Sequence, residues 1–314
     1  AAITDALRLS RGMSYKNAMA GLSAGGGKAV ILANPQRAKP QELLEAFGRA
    51  VDSLGGKYIT AQDVGISEAD MVTVSKVTPH VAGLPDQGGD PGPYTARGVF
   101  LGVKAAVKHA LGTDDLNGVR VAIQGVGSVG GGLARYLAAE GAKLTLADVD
   151  AQRAADLAHA LGGQSVAADA IMALEADVFS PCALGAVLTE SSVAALKVRA
   201  VAGGANNQLA TGAEGRMLAD RGILYAPDYV INAGGIINVL RHIDHADDVA
   251  INARIDTIPG RLHQVWDESE ASGDTPAEVA DRIAQRLIGG DQIFGDENRV
   301  NHGEQQPVAN GVLH

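Results

Sequence analysis

Cysteine and aromatic residues are scarce in this 314-residue chain: Cys182 is the single cysteine, and aromatic side chains make up 4% of the sequence. One cysteine excludes an intramolecular disulfide and a cysteine-based zinc site, and we expect no metal. No apolar run approaches the roughly 20 residues of a membrane-spanning helix, and no signal peptide is recognisable. The net charge of −10 disfavours nucleic acid and anionic membranes as partners, since both attract clustered lysine and arginine. These absences favour a cytoplasmic globular protein.

Glycine, in contrast, is abundant, with 40 residues in the chain, roughly twice the average share. One glycine cluster, residues 25–27, leads directly into Lys28 and the apolar run 29–32. That run predicts a buried strand over residues 30–33, which would place the lysine at a partly desolvated edge. Desolvation lowers the pKa of a lysine and allows it to act as a general base near neutral pH. A glycine turn that ends in a solvated lysine is the alternative interpretation.

A linker over residues 84–93, with three prolines and three glycines, divides the chain. Before it, apolar periodicity predicts helices over 3–22, 40–54 and 67–76 and a strand over 57–61. After it, strands alternate with helices, which indicates a doubly wound parallel α/β sheet. The predicted elements are helices over 95–111 and 129–140 and strands over 119–123, 143–147, 177–179, 200–202 and 223–225. Helices over 246–271 and 275–287 follow, and the polar tail 289–314 is expected to be flexible.

The second glycine cluster has the spacing of a dinucleotide-binding loop. Gly125, Gly127 and Gly130 follow a predicted strand and open a predicted helix, and a second strand comes next. The first glycine permits a tight turn, the second lets the backbone reach a pyrophosphate, and the third brings helix and strand together. The start of the helix, with Ser128 and Val129, would then bind the phosphates.

Asp148 ends the second strand of this unit. A carboxylate there accepts hydrogen bonds from ribose hydroxyls and repels a 2′-phosphate, so NAD is preferred over NADP. Arg153 is interpreted as a residue of the helix surface. The eight histidines lie mainly on predicted helices or in the tail, which disfavours a hydroxy-acid oxidoreductase with a catalytic histidine. Lys28 is the better candidate for handling a proton.

A series of short motifs runs through the chain in a recognisable order. They are Arg11-Gly-Met-Ser-Tyr-Lys-Asn17, Gly25-Gly-Gly-Lys28, Tyr58-Ile-Thr-Ala-Gln-Asp-Val64, Gln124-Gly-Val-Gly127, Pro181-Cys-Ala-Leu-Gly185, Gly204-Ala-Asn-Asn207 and Tyr225-Ala-Pro-Asp-Tyr-Val-Ile-Asn-Ala-Gly-Gly235. Together they resemble the glutamate/leucine/phenylalanine/valine dehydrogenase family, most of all its leucine dehydrogenase branch, over roughly residues 1–290. The resemblance implies a substrate-binding and dimerisation domain over 1–90 and a Rossmann-type NAD-binding domain over 95–240. Helices over about 246–290 would pack back on the first domain.

The resemblance also implies roles for individual residues. Lys28 would activate water for attack on an imine, and Asp63 would exchange protons with it. Lys16 would bind the substrate α-carboxylate, while Asn206 and Asn232 would lie near the nicotinamide ribose and the substrate. Further residues would border the cofactor, namely Thr95, Cys182, Ala183, Ala205 and Asn206.

The implied side-chain pocket is apolar and consists of Met13, Ala82, Ile236 and Val239. Because none of these residues would pair with a carboxylate, glutamate is disfavoured; leucine, valine or isoleucine fit, and phenylalanine or tryptophan stay open. The implied reaction is the reversible oxidative deamination of an L-amino acid to a 2-oxo acid and ammonia by a homo-oligomer. Because family members have a further N-terminal segment, we expect an incomplete first domain, and an NAD-binding protein without turnover is the alternative.

Overall fold

The computed structural model describes residues 2–32, 39–63, 65–84, 90–183, 185–239, 241 and 245–289. Half of the predicted linker, 85–89, and nearly all of the predicted tail, 290–314, lie outside these ranges. Within them, no helix is both long enough and apolar enough to cross a membrane.

The first region of the chain, residues 2–84, forms helices around a very small sheet. Its elements are α1 (Ala2–Met19), α2 (Gln41–Asp52), β1 (Thr60–Ala61), α3 (Glu68–Ser75) and β2 (Val81–Ala82). The two strands pair in parallel. Helix α3 begins with a capping box, in which Ser67 and Asp70 each bind the backbone N–H of the other. A small apolar cluster of Leu44, Met71, Val74 and Val81 joins α2, α3 and β2, whereas Tyr15 and Met19 of α1 belong to the large core.

The predicted buried strand over residues 30–33 is wrong for its described part. Residues 30–32 form no strand, and Val30 and Leu32 are 37% and 84% exposed. A strand requires a neighbour to complete its hydrogen-bond ladder, and in the described residues β1 pairs with β2 and not with this run. The strand predicted over 57–61 is correspondingly reduced to two residues. Lys28 therefore lies in a loop, and its partial burial comes from other neighbours.

The second region begins with α4 (Gly92–Leu111) and contains the large sheet. Its elements continue as β3 (Arg120–Gln124), α5 (Ser128–Ala139), β4 (Lys143–Ala147), α6 (Ala151–Leu161), β5 (Gln164–Ser165), β6 (Val178–Pro181), α7 (Glu190–Ala195), β7 (Ala200–Val201), α8 (Gly212–Asp220), β8 (Leu224–Tyr225), α9 (Asp228–Ile231) and α10 (Gly234–Asn238). Strands β3, β4, β6, β7 and β8 match the predicted ones to within a few residues. The sequence analysis missed β2, β5 and the short helices α9 and α10.

The large sheet confirms the predicted doubly wound architecture. Its six strands are parallel and lie in the order β5-β4-β3-β6-β7-β8. The order reverses between β3 and β6, and in such sheets the ligand crevice lies at the carboxyl ends of the strands at this reversal. Val121 and Ile123 of β3 are fully buried, which explains why this strand is a continuous apolar run.

Two helices replace the single one predicted over 246–271. These are α11 (Asp248–Ile255) and α12 (Ile258–Ser272), followed by α13 (Pro276–Ile288). Helix α11 ends before Asp256, and Pro259 lies in the first turn of α12. Proline is tolerated in a first turn, but it would break one continuous helix through this position. Helix α13 packs against α1, and the Gln285 amide donates a hydrogen bond to the Tyr15 hydroxyl at 2.8 Å.

Trp266 on α12 fixes this C-terminal layer to the large sheet. Its side chain is 1% exposed, and its indole N–H donates to the carbonyl of Tyr225, the last residue of β8, at 2.9 Å. His109 and His263 cover the ring, with centroids 5.0 Å and 5.4 Å from it. The carboxyl end of β8 is thus fixed by a hydrogen bond from a buried aromatic side chain.

Candidate active site

The glycine loop after β3 has the geometry of a phosphate cradle. Gly125 has a φ of +89°, and a Cβ there would lie 2.7 Å from the backbone nitrogen of Ala183. A Cβ on Gly130 would lie 1.9 Å from the carbonyl oxygen of Gly125, so both positions require glycine. Gly127 faces open space, and no side chain caps the helix that starts at Ser128. The loop therefore fits a dinucleotide pyrophosphate at the N-terminus of α5.

Asp148 lies at the carboxyl end of β4, and its side chain is engaged by the protein. One oxygen accepts from the N–H of Val126 at 2.7 Å; the other accepts from the N–H of Asp150 at 2.9 Å and from Arg153 at 2.7 Å. Burial raises the pKa of this carboxyl, but these hydrogen bonds outweigh that effect and the pKa is lowered. Arg153 is half exposed on α6, as predicted for a helix-surface residue, and in addition forms an ion pair with Asp148.

Ser128 has a neighbour that the sequence analysis did not identify. Its hydroxyl donates to the carboxylate of Asp90 at 2.6 Å, and the other oxygen of Asp90 accepts from the N–H of Gly92 at 2.8 Å. An exposed carboxylate therefore lies at the start of α5, where a phosphate would bind. No local signal in the sequence joins Asp90, which precedes α4, to Ser128, the first residue of α5.

Several predicted cofactor residues lie around the reversal of strand order. Cys182 and Ala183 follow β6, and the N–H of Gly204 approaches the Cys182 sulfur at 3.5 Å. Burial raises the pKa of the Cys182 thiol, which keeps it protonated and disfavours a nucleophilic role. Ala205 is buried on the loop after β7.

Val129 and Thr95 lie on the helices that border this crevice. A Cβ on Gly204 would lie 2.7 Å from Cγ1 of Val129, so α5 closely approaches the loop after β7. Thr95, in the first turns of α4, donates its hydroxyl to the carbonyl of Pro91 at 3.0 Å. A Cβ on Gly235 would lie 2.6 Å from that hydroxyl, so α4 and α10 meet at Thr95.

The loop that carries Lys28 is folded against α1. The Asn17 side chain donates to the carbonyl of Gly25 at 2.6 Å, and the N–H of Gly26 donates to the Ser14 hydroxyl at 3.0 Å. A Cβ on Gly26 would lie 2.1 Å from a backbone oxygen of α1, which accounts for glycine at this position. Gly26 is thus explained by close packing on a helix, and Gly27 by the Tyr58 ring, to which a Cβ would lie 2.6 Å away.

Lys28 and Asp63 are brought together by this loop and the segment after β1. The Lys28 ammonium donates to the carboxylate of Asp63 in a close ion pair. The lysine side chain is 24% exposed, and that of the aspartate is 53% exposed. Burial lowers the pKa of Lys28, as the sequence analysis expected, although the predicted buried strand is absent from residues 30–32.

A second polar cluster joins α1 to the loops after β7 and β8. The side-chain oxygen of Asn206 accepts from the Lys16 ammonium at 3.0 Å and from the Asn232 amide at 2.8 Å. The side-chain oxygen of Asn232 is buried and has no hydrogen-bond partner among the residues that the structure describes. Burial and the nearby charge of Lys28 lower the pKa of Lys16 to about 8, against the attraction of Asp228. The structure therefore brings three predicted substrate residues together.

Asp228 is the charged residue of this cluster that the sequence analysis did not select. It is the first residue of α9, and its carboxylate accepts from the N–H groups of Gln208 at 3.1 Å and Tyr229 at 2.7 Å. Burial raises its pKa, opposed by those donors and by Lys16. The sequence motif 225–235 contains Asp228, but the charge of Asp228 acts on Lys16 of α1, which is distant along the chain.

The predicted apolar pocket residues come from three elements. Met13 lies on α1 one turn before Lys16, Ala82 is buried in β2, and Ile236 and Val239 lie in and directly after α10. Met13, Ile236 and Val239 are half-buried. Met13 shares α1 with Lys16, and the strand of Ala82 pairs with β1, which precedes Asp63. Ile236 lies in α10, the helix that follows Asn232.

Comparisons with known proteins agree with this arrangement. Residues 1–80 match the family model described as the Glu/Leu/Phe/Val dehydrogenase dimerisation domain, and residues 144–240 match that of glutamate/leucine/phenylalanine/valine dehydrogenase. The chain is 43% identical over 291 residues to leucine dehydrogenase of Bacillus subtilis (strain 168), covering 92% of this chain and 80% of that protein. It is 45% identical over 289 residues to L-tryptophan dehydrogenase of Nostoc punctiforme (strain ATCC 29133 / PCC 73102), covering 92% and 82%.

The fold agrees as well. A crystal structure of L-tryptophan dehydrogenase from Nostoc punctiforme superposes with a TM-score of 0.83 at 43% identity, covering 92% of this chain and 84% of that one. The family identified from the ordered motifs is thereby confirmed. The chain belongs to the glutamate/leucine/phenylalanine/valine dehydrogenase family and is an amino-acid dehydrogenase, an oxidoreductase that acts on a CH–NH₂ group.

Proposed function

We propose that the protein catalyses the NAD-dependent, reversible oxidative deamination of an apolar L-amino acid to its 2-oxo acid and ammonia. The observation that carries the proposal is the pairing of Lys28 with Asp63, in which burial lowers the pKa of Lys28. Lys28 also lies close enough to Lys16 for the two positive charges to interact. One lysine can thus lose its proton while the other holds a carboxylate.

NAD⁺ bound at the glycine loop would supply the hydride acceptor for the Cα–H bond of the amino acid. Water then adds to the resulting iminium carbon, and ammonia leaves as the 2-oxo acid forms. Neutral Lys28 takes a proton from the attacking water, and Asp63 accepts or returns protons as the lysine changes state. The balanced reaction converts amino acid, NAD⁺ and water into 2-oxo acid, ammonium, NADH and one proton.

Lys16 is proposed to bind the substrate α-carboxylate. It lies in the last turns of α1 with its ammonium on the Asn206 amide, a neutral acceptor that a carboxylate can replace with a stronger, charge-assisted bond. Asn232 presents a buried oxygen in the same cluster that accepts no hydrogen bond from the described part of the chain, which suits the substrate amino group as a donor. Both ends of the amino-acid backbone would therefore be fixed.

The side-chain preference is proposed from Met13, Ala82, Ile236 and Val239. Their apolar surfaces suit leucine, valine or isoleucine, and the small Ala82 leaves space for an aromatic ring. The two relatives described above, one a leucine and one a tryptophan dehydrogenase, support both options. An apolar pocket discriminates by only about 1–3 kcal/mol per methylene, so partial activity on several apolar amino acids is expected.

NAD is proposed over NADP because Asp148 keeps a carboxylate at the ribose end of the glycine loop. We also propose a homo-oligomer, since the family model matched by residues 1–80 is described as a dimerisation domain. A cytoplasmic location stays a prediction from the sequence.

The test is formation of NADH from NAD⁺ with a panel of L-amino acids, with D-leucine and L-glutamate as controls. We expect turnover with at least one apolar L-amino acid and none with either control. Binding of NAD, measured by calorimetry, without turnover of any amino acid would contradict the proposal and support the alternative of an NAD-binding protein.

A further inference from the structure

The amino-acid carboxylate is proposed to bind at Lys16, yet the ammonium of this lysine touches a neutral amide, Asn206. Burial and Lys28 both disfavour the charged form of Lys16, and the charge that opposes them belongs to Asp228. No other residue of α9 carries an acidic group. Asp228 therefore affects more than the start of the four-residue helix α9, because its charge acts on Lys16.

Asp228 also holds the loop that carries Asn206. Its carboxylate accepts from the N–H of Gln208, and the buried Gln208 side chain donates to the carbonyls of Gly203 at 2.8 Å and Ala205 at 3.0 Å. The residue after Asp228 also donates its N–H to the carboxylate. Both groups that contact the Asp228 carboxylate are hydrogen-bond donors, which fits an ionised carboxylate. The Asp228 carboxylate thereby holds the backbone that follows Asn206, and the Gln208 side chain holds the backbone that precedes it.

Asn232 belongs to the same unit, because its N–H donates to the backbone carbonyl of Asp228 at 3.0 Å. Its side chain then reaches Asn206 and the carbonyl of Gly204. One aspartate thus connects α9, the loop after β7 and, by charge, α1.

We infer that Asp228 is a positioning residue for the amino-acid carboxylate: it orders the Asn206 loop and supplies the negative charge that stabilises the Lys16 ammonium. The inference rests on the proposed function of Lys16. It assigns no contact with the reacting atoms to Asp228, which acts through Lys16 and Asn206.

The consequence is a dependence of substrate affinity on pH. Lys16, with a pKa of about 8, is charged below that pH and loses its charge as the pH rises through it. Removing the negative charge of Asp228 lowers the pKa of Lys16 further, so the ammonium disappears at a lower pH. Three other titratable groups interact with this pair and stay unchanged in the variant: Lys28 acts on Lys16, and Tyr225 and Tyr229 interact with the charge of Asp228. Asp63 and Asp281 are one contact further away, since they bind Lys28 and Tyr229.

The experiment compares Asp228→Asn, which keeps the shape and removes the charge, with the wild type across pH. With the best amino acid of the panel, we expect the pH at which KM begins to rise to move down by about one unit, which corresponds to about a tenfold higher KM above that pH. We expect kcat and the KM for NAD to stay within about twofold of the wild type. Asp281→Asn is the matched control, since its carboxylate accepts from the Tyr229 hydroxyl at 2.8 Å, and its KM profile should match the wild type.

A KM profile of Asp228→Asn that superposes on the wild type would overturn the inference, as would an equal rise of KM at every pH. If Asp228→Asn loses its native circular dichroism, Asp228→Glu is compared in the same way. Because it keeps the charge, we expect the wild-type pH dependence of KM, and a downward move would contradict us.

Lys16→Met separates this inference from the proposed function. A large rise of KM in Lys16→Met together with an unchanged Asp228→Asn profile would overturn only the function of Asp228. An unchanged KM in Lys16→Met would overturn the carboxylate site, and the inference for Asp228 with it.

Discussion

The two regions of the molecule hold their functional residues by different means. In the second region, the glycine loop continues directly from β3, a strand paired on both sides with β4 and β6. In the first region, Lys28 follows a loop that side chains of α1, Asn17 and Ser14, attach to the helix. The backbone hydrogen bonds of the sheet fix the position of the glycine loop, whereas individual side-chain hydrogen bonds fix the position of the loop before Lys28. The comparison indicates that the chemistry of Lys28 depends on a few local contacts that single substitutions can change.

The regions also differ in the size of their cores. Leu133 is fully buried in the extensive core around the large sheet, while Leu44 belongs to a cluster of four buried residues. Small clusters near the surface relax more easily around a cavity. The segment from α2 to β2 is therefore expected to be less stable than the core around the large sheet, which is consistent with the proposed closure of a cleft.

The largest effect that separates the two regions is expected from Lys28→Ala. Loss of the general base should reduce kcat by about a thousandfold, because proton transfer by a positioned side chain typically contributes 10²–10⁴. The affinity for NAD, measured by calorimetry, should stay within about twofold, since the glycine loop lies in the other region. Lys57→Ala, at an exposed lysine of the first region, is the control and should keep wild-type kcat. Comparable losses of kcat and NAD affinity would contradict the proposed function of Lys28.

Core substitutions test the difference in packing. Leu133→Ala should lower the free energy of unfolding by about 4 kcal/mol and Leu44→Ala by about 2 kcal/mol, because the smaller cluster collapses more readily around its cavity. Urea unfolding followed by circular dichroism measures both. Equal costs would show that the first region is packed as firmly as the second.

Gly125→Ala tests the backbone control of the cofactor cradle. The new Cβ combines a positive φ with a contact of 2.7 Å to Ala183, so we expect the Kd for NAD to rise by about thirtyfold. Gly118→Ala is the matched control: it has a φ of +80° but open space around the new Cβ. It should lower stability by about 1 kcal/mol and leave NAD affinity unchanged. Equal losses of affinity would assign the effect to general strain.

The smallest effect is expected from Asp148→Ser, which removes the carboxylate at the end of β4. The preference for NAD over NADP, measured as the ratio of kcat/KM values, should fall by about tenfold as repulsion of the 2′-phosphate is lost and Arg153 is released. Asp156→Ser, at an exposed position of α6, should leave the ratio unchanged. An unaltered ratio in Asp148→Ser would exclude it from cofactor selection.

Local patterns in the sequence were sufficient for the second region and insufficient for the first. Strand β3 contains the apolar run 121–123 and is followed by glycine, and β4 places two leucines at alternate positions before Asp148, so the local pattern alone located them. The run 29–32 has the same composition but is largely exposed, because nothing local states whether a strand has a neighbour. In the same way, Gln164 and Ser165 carry no apolar signal, and β5 was missed.

The site was predicted only as far as motifs name residues. The Lys28–Asp63 pair and the Lys16–Asn206–Asn232 cluster came from the family resemblance, and the structure places the members of each together. Asp228 lay inside a quoted motif without a function, because its effect on Lys16 arises only when α9 is packed near α1. Contacts between distant parts of the chain were therefore the information that the sequence did not contain.

Trp266 is the single tryptophan of the chain, so its fluorescence has one source. Its indole N–H is bound to the last residue of β8, directly before the loop that leads to α9. Its emission overlaps the absorption of reduced nicotinamide, and excitation of tryptophan would therefore transfer energy to NADH held in the cleft. The fluorescence of this tryptophan is therefore expected to report the proposed binding of NADH without any label.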